Sequence, residues 1–170
     1  MLEKEEQLKS EEQALRKLIP HLELKQQSVV TEETAQVFDG LRGIMTARER
    51  TLKIMKKGDE MWILGVARTP YTRLEAYFED YHKRRIAKGI RCKYLYNAHA
   101  KKPFGVRSSS YKMSEVRYMP KGMVTQSWME IYADTVTIGL NSKKSFSVVI
   151  QNQEVADSFR NYAKLLWSLG

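Results

Sequence analysis

The last forty residues constrain this chain more than any other stretch. Two segments alternate apolar with polar or small residues, Ile131-Tyr-Ala-Asp-Thr-Val-Thr-Ile-Gly-Leu140 and Ser145-Phe-Ser-Val-Val-Ile150, and Asn141-Ser142-Lys143-Lys144 lies between them. Alternation with a period of two marks strands with one face toward a core, and a short polar connection reads as the turn of a hairpin. Asn152 to Leu169 then carries apolar residues at helical spacing: Val155, Phe159, Tyr162, Leu166 and Leu169. A hairpin that runs straight into an amphipathic helix implies a mixed α/β core whose final helix covers a sheet.

Upstream, the pattern alternates between strand and helix. Ala35–Asp39 reads as a short strand, and Gly40 permits the turn into a helix over Leu41–Lys57. Lys56-Lys57-Gly58 supplies cations in the last turn and then a glycine stop. Glu60–Val66 is nearly continuous in apolar residues, as a strand buried on both faces should be. Thr69-Pro70 opens a second helix, Tyr71 to Lys88, with Leu74, Tyr77, Phe78 and Tyr81 on its apolar face and Gly89 at its stop. Ile90–Tyr96 is the next strand. Two successive strand–helix–strand units imply parallel pairing of their strands. Asn97–Ser114 is small, basic and polar, either a loop or a short helix between loops, and Glu115–Met119 and Gln126–Tyr132 resume as strands.

The first 34 residues belong to a different part. Residues 2–18 are rich in strong helix formers, with Leu8, Leu15, Leu22 and Val29 seven apart and Leu18 at an intervening position. Pro20 ends or kinks this helix. A stripe so short does not stand alone in water, so it needs a cover, and a second copy of itself is the expected one. Residues 1–34 therefore read as a dimerisation helix and linker, and 35–170 as the folded body. The charge divides similarly. Residues 1–39 hold five Lys/Arg against nine Asp/Glu, a net of −4, while residues 40–170 hold twenty-four against eleven, a net of +13.

Several classes are excluded by what the chain lacks. No apolar run approaches a membrane span, and the charged start carries no secretion signal, so no membrane partner is expected. The single cysteine, Cys92, allows no internal disulfide and fits a reducing cytoplasm as a buried filler. The three histidines, at 21, 82 and 99, lack neighbours at metal-ligand spacing, and no phosphate-loop, dinucleotide or serine-hydrolase motif occurs. No metal and no cofactor is expected. The adjacent acids Asp59-Glu60 and Glu79-Asp80 read as surface or helix-end charges. The basic run His82-Lys-Arg-Arg85 with Lys88 falls near a helix C-terminus, where cations are favoured on structural grounds.

The closing hairpin and a helix carrying Phe159 and Leu166-Trp167 resemble the end of the phospholipase D-like fold. Enzymes of that fold use His-x-Lys, an aspartate five residues after the lysine, and Gly-Ser-x-Asn. The histidine attacks phosphorus or protonates the leaving group, and lysine and asparagine hold phosphate oxygens. The His-x-Lys here, His99-Ala100-Lys101, has Val106 where the aspartate belongs and no Gly-Ser-x-Asn after it. Aligning Gly139 with the motif glycine instead puts Thr125, Ser127 and Tyr132 at the histidine, lysine and aspartate positions. The resemblance thus implies the frame of the enzyme without its catalytic residues, so no catalytic residue is expected.

The order of elements across nearly the whole chain also resembles the C-terminal half of the TrmB-type archaeal transcriptional regulators. The residues that carry this are Leu18-Ile19-Pro20, Val37-Phe-Asp-Gly-Leu-Arg-Gly-Ile44, Trp62-Ile-Leu-Gly65, Tyr81-His-Lys-Arg-Arg85-Ile-Ala-Lys-Gly-Ile90, Val116-Arg-Tyr-Met-Pro120 and the closing hairpin and helix. The resemblance implies a phospholipase D-like mixed α/β sheet flanked by helices, preceded by a coiled-coil-type helix. It implies a homodimer, paired through Leu8, Leu15, Leu18 and Leu22, that senses a small-molecule effector. DNA would be met only through a winged-helix domain, which is not found ahead of Leu2. In a parallel α/β sheet a ligand is expected beyond the carboxyl ends of the strands. That points to Arg68, Thr69 and Asn97, with Trp128 and Tyr132 lining the vacated pocket. The alternatives are a phosphodiesterase or nuclease built on His99 and Lys101, or a scaffold that binds nucleic acid through its basic body.

Overall fold

The computed structural model describes residues 35–65, 74–100, 106–140 and 144–170. The heptad residues Leu8, Leu15, Leu18 and Leu22 lie outside them, as does the helix expected over 2–18. The strands are β1 (Ala35–Asp39), β2 (Glu60–Leu64), β3 (Arg91–Tyr96), β4 (Ser114–Tyr118), β5 (Ser127–Tyr132), β6 (Thr135–Leu140) and β7 (Phe146–Gln151). The helices are α1 (Gly40–Ile54), α2 (Glu75–Ala87), α3 (Val106–Ser110) and α4 (Gln153–Leu169). The strands form one seven-stranded sheet in the order β1-β7-β6-β5-β2-β3-β4. The β2, β3 and β4 strands are parallel, and every other pairing is antiparallel.

The second expected strand–helix–strand unit pairs as anticipated, with Glu60 opposite Arg91 through Leu64 opposite Leu95. The first does not. Strand β1 crosses to the far edge and pairs with β7 antiparallel, Val37 opposite Val148. A strand followed by a helix and another strand looks the same in sequence whether the two strands adjoin or are three strands apart. Here the closing β5–β6–β7 meander occupies the gap. The alternating segment Ile131–Leu140 is likewise two strands, not one. Ala133 and Asp134 form a tight turn, with Ala133 at φ 44°, so Tyr132 pairs with Thr135. Alanine at a positive φ gives no glycine or asparagine turn signal.

Each face of the sheet has its own helical cover. Under α1 and α2 lie Met61, Ile63, Cys92, Tyr94, Tyr96 and Tyr132, packed with Leu52, Met55 and Tyr81. Under α4 lie Trp62, Leu64, Leu95, Ile131 and Val136, packed with Ala156 and Ala163. Buried residues of α1 recur at 44, 47, 48, 51 and 52, the spacing of one helical face. The helix stops at Ile54, short of the expected Lys57, because the Asp59 carboxylate accepts the Lys56 N–H at 2.7 Å. Helix α4 starts where expected, with the Asn152 side chain accepting the Val155 N–H at 3.1 Å as an N-cap. Its buried line is Ala156 and Ala163, flanked by half-buried Val155, Phe159, Leu166 and Trp167. Tyr162 and Leu169, expected in the core, are about 60% exposed. The two alanines let the helix lie close to the sheet, and that line of approach turns Tyr162 and Leu169 outward.

Candidate functional site

At the carboxyl ends of the parallel strands, Gly65 closes β2 and Asn97 follows β3. Gly65 adopts φ 68°, and a side chain there would run into the Thr125 hydroxyl and the Ser127 carbonyl. Only glycine meets both demands. Asn97 is fully buried. Its Nδ2 donates to the Thr125 carbonyl at 2.9 Å, and its Oδ1 accepts the Thr125 N–H at 3.1 Å. The amide thus copies a rung of strand pairing and fixes the chain leading into β5. Of the residues predicted to bind a ligand here, Arg68 and Thr69 lie outside the described residues, and Asn97 is engaged in this structural rung.

The remaining two, Trp128 and Tyr132, lie buried on one face of β5, either side of Glu130. Along β5 the side chains alternate, so Trp128, Glu130 and Tyr132 point toward α1 and α2 while Met129 and Ile131 face α4. Glu130, at the centre of this row, is wholly buried. Its Oε1 ion-pairs with Arg48 Nη1 at 3.1 Å and accepts from the Thr51 hydroxyl at 3.2 Å and the Tyr81 hydroxyl at 3.3 Å. Arg48, itself 2% exposed, has its guanidinium carbon 4.6 Å from the Trp128 ring centre, 5.5 Å from Phe78 and 6.0 Å from Tyr81. A buried charge is tolerated only with such partners.

Register extends the polar layer across the sheet. Glu130 stands opposite Thr137 on β6, and Trp128 stands opposite Gly139, which faces Ser147 on β7. A side chain at Gly139 would strike the Trp128 indole, so the glycine gives that ring its place. Glu130 Oε2, Trp128 Nε1 and Ser147 Oγ are buried and make no hydrogen bond of normal geometry with the protein. Burial pushes the Glu130 carboxyl above the usual carboxylate range, and Arg48, Thr51 and Tyr81 act against that rise. Burial also lifts the Tyr81 phenol well above its ordinary value, with Glu130 adding to the effect.

The basic run at the end of α2 does not form one solvated surface. His82 is buried, its ring 5.2 Å from Tyr81, 5.9 Å from Tyr94 and 4.9 Å from Tyr111. Burial, together with the cations Arg85 and Arg48, holds this imidazole well below the usual histidine range. Arg85 is fully buried and donates to the carbonyls of Ile90 at 2.6 Å and Met113 at 3.1 Å and to the Ser114 hydroxyl at 2.8 Å. It ties the end of α2 to the starts of β3 and β4. Arg84 pairs with Glu49 and Asp80. Cys92 is buried, and its thiol is pushed up to about 12 by desolvation, so it stays protonated as the expected filler.

Neither alignment of the phosphodiesterase motif gathers a catalytic set among the described residues. His99 is exposed on a 3-10 turn at 98–100, and Lys101 lies outside the described residues. On the other alignment Thr125 is half-buried, Ser127 exposed and Tyr132 fully buried. Among the described residues no group of three His, Cys, Asp or Glu side chains is placed to hold a metal, and no helix is long and apolar enough to cross a membrane.

This arrangement of one mixed sheet, with α1 and α2 on one face and α4 on the other, is the phospholipase D-like fold. NucT from Helicobacter pylori matches it with a TM-score of 0.61 at 12% identity, covering 79% of this chain and 96% of that one. Nuc from Salmonella typhimurium, a phospholipase D family member, matches with a TM-score of 0.60 at 16% identity, covering 80% and 95%. TrmBL2, an archaeal chromatin protein whose structure shows a mode of DNA binding, matches with a TM-score of 0.52 at 18% identity. That match covers 96% of this chain, which spans 64% of the TrmBL2 chain. No protein-family model matches the sequence, and no curated protein does.

Proposed function

We propose that this chain is the non-catalytic regulatory body of a transcriptional regulator, a phospholipase D-like domain that pairs with a second copy and senses a small molecule. One observation carries the reading. Where the enzyme frame needs a nucleophile and phosphate-binding cations, β5 and its approach carry Thr125, Ser127 and Tyr132, and the cation beneath β5 on the Tyr132 face, Arg48, is paired with the buried Glu130. A hydroxyl with no adjacent base is not an activated nucleophile, and a cation neutralised by a buried carboxylate does not hold a phosphate. Likeness to TrmBL2 across nearly the whole chain supports placing it among regulators. A ligand acts in such a domain by binding two arrangements unequally, which shifts the placement of attached DNA-binding domains.

The test is a phosphodiesterase assay on bis(4-nitrophenyl) phosphate with the wild type and His99→Ala. The expected result is no turnover above the blank for either protein. Turnover abolished by His99→Ala would replace this reading with a phosphodiesterase related to the nuclease-like neighbours. Light scattering of the wild type and Leu15→Glu checks the pairing, with a dimer expected for the first and a monomer for the second.

A further inference from the structure

The two end strands of the sheet are finished differently. Strand β4 carries Glu115 and Arg117 exposed along it, charges of the kind that keep a further strand from adding. Strand β1 ends the sheet on the other side with Ala35, Val37 and Asp39 exposed, Val37 at 71%. It holds no lysine or proline, and its one charged residue, Asp39, stands at its end.

Hydrogen-bond parity shows which backbone groups of β1 face outward. The Gly40 N–H donates to the Ser145 carbonyl at 2.7 Å, in the same register that sets Val37 opposite Val148. Along an antiparallel pair, opposed residues that bond each other alternate with residues that turn their N–H and C=O away. Gln36 and Phe38 therefore face β7, and Ala35, Val37 and Asp39 turn their groups to the open edge. The far side of β7 agrees. The Asn152 N–H donates to the Asp134 carbonyl at 2.9 Å in the β6–β7 register, which assigns Phe146, Val148 and Ile150 to β6 and leaves Ser147 and Val149 for β1. Among the described residues no strand lies beyond β1.

We propose that β1 of a second copy adds antiparallel to this edge about a twofold axis through Val37, joining the two sheets into one. The inference rests on the homodimer of the regulatory reading and names the surface by which its two bodies meet. This register sets Val37 opposite Val37 of the second copy and Ala35 opposite Asp39, so every outward group of both strands finds a partner. Sliding the strands by two residues either way leaves some of those groups unpaired. Charge selects the same register, because each Asp39 faces an alanine and the two carboxylates stand at opposite ends of the ladder. A ladder this short is well below the roughly 1,200 Å2 of a stable interface, so it adds to the pairing through residues 1–34 and does not replace it.

The experiment is disulfide trapping in the full chain under mild oxidation, with backbone amide exchange as the second measurement. Facing residues of such a pair stand about 5.5 Å apart at Cα, within reach of a disulfide, and the native Cys92 is buried. Val37→Cys should give a covalent dimer as the main product. Ala35→Cys, whose copies would stand roughly 13 Å apart, should link at least tenfold less, and adding Asp39→Cys to it should restore the link. In the wild type the amides of Ala35, Val37 and Asp39 should exchange at least tenfold more slowly than in Leu15→Glu. Equal linking of Val37→Cys and Ala35→Cys would overturn the proposal. So would equally slow exchange in wild type and Leu15→Glu, the sign that the chain's own residues cover the edge. A dimer by light scattering in which Val37→Cys does not link removes this interface alone, whereas a monomeric wild type removes the regulatory pairing with it.

Discussion

The two faces of the sheet solve burial in opposite ways. Beneath α4 the contacts are apolar and aromatic: Ala156 and Ala163 sit on Ile131, Val136 and Leu95, and Trp62 meets Trp167 edge-on at 5.4 Å. Cations stay at the rim there, Lys93 Nζ 4.9 Å from the Trp62 ring and Arg117 4.8 Å from the Trp167 ring. Beneath α1 and α2 a whole ion pair, four tyrosines and a histidine are enclosed. The difference teaches that the first face depends on shape and the second on partners. Removing an atom from a packed apolar face costs contacts, whereas removing one from a buried polar layer strands the group it served.

Breaking the polar face should have the largest effect. Glu130→Ala leaves Arg48 buried and uncompensated and should lower stability by about 3–5 kcal/mol in urea unfolding. The double variant Arg48→Met, Glu130→Leu should recover most of that loss, and failure to recover it would mean that the pair does more than neutralise itself. On the opposite face, Ala163→Leu should cost about 1–3 kcal/mol by forcing α4 away from the sheet, read by the same unfolding curves.

His82 sharpens the comparison through pH. Its folded value is held well below the usual histidine range, so the unfolded chain takes up the proton first. Stability should therefore fall as pH drops below about 6.5, by at most about 1.4 kcal/mol per unit. Thermal melts of His82→Gln should lose that slope, whereas variants of the α4 face should keep it. The smallest effect is expected from Asn152→Ala, which removes the cap of α4 and should cost about 1 kcal/mol with the pH profile unchanged.

How far the sequence could be read depended on the kind of signal. Period-two alternation placed β7, and helical spacing placed α4, because both patterns repeat over enough residues to stand out. The candidate site was only half legible. Trp128 and Tyr132 stand out in the sequence and Glu130 between them does not, although a period of two puts all three on one face of the strand. Arg48, in Thr46-Ala-Arg-Glu-Arg50, looks like one of several surface cations on a helix. Only its helical spacing, four residues from both Ile44 and Leu52, separates it from Arg50, which lies only partly buried at the end of a hydrogen bond to Gln36.

The residues alone determined most of the elements and the absence of the Gly-Ser-x-Asn motif, since each follows from local pattern or from plain identity. Only the tertiary structure decided that β1 crosses to the far edge, that Asn97 serves as a rung of pairing and that Arg48 meets Glu130. Those outcomes depend on which distant segments share a surface. A side chain's partner across 82 residues of chain is fixed by the packing of α1 on β5, and no pattern within either element records it.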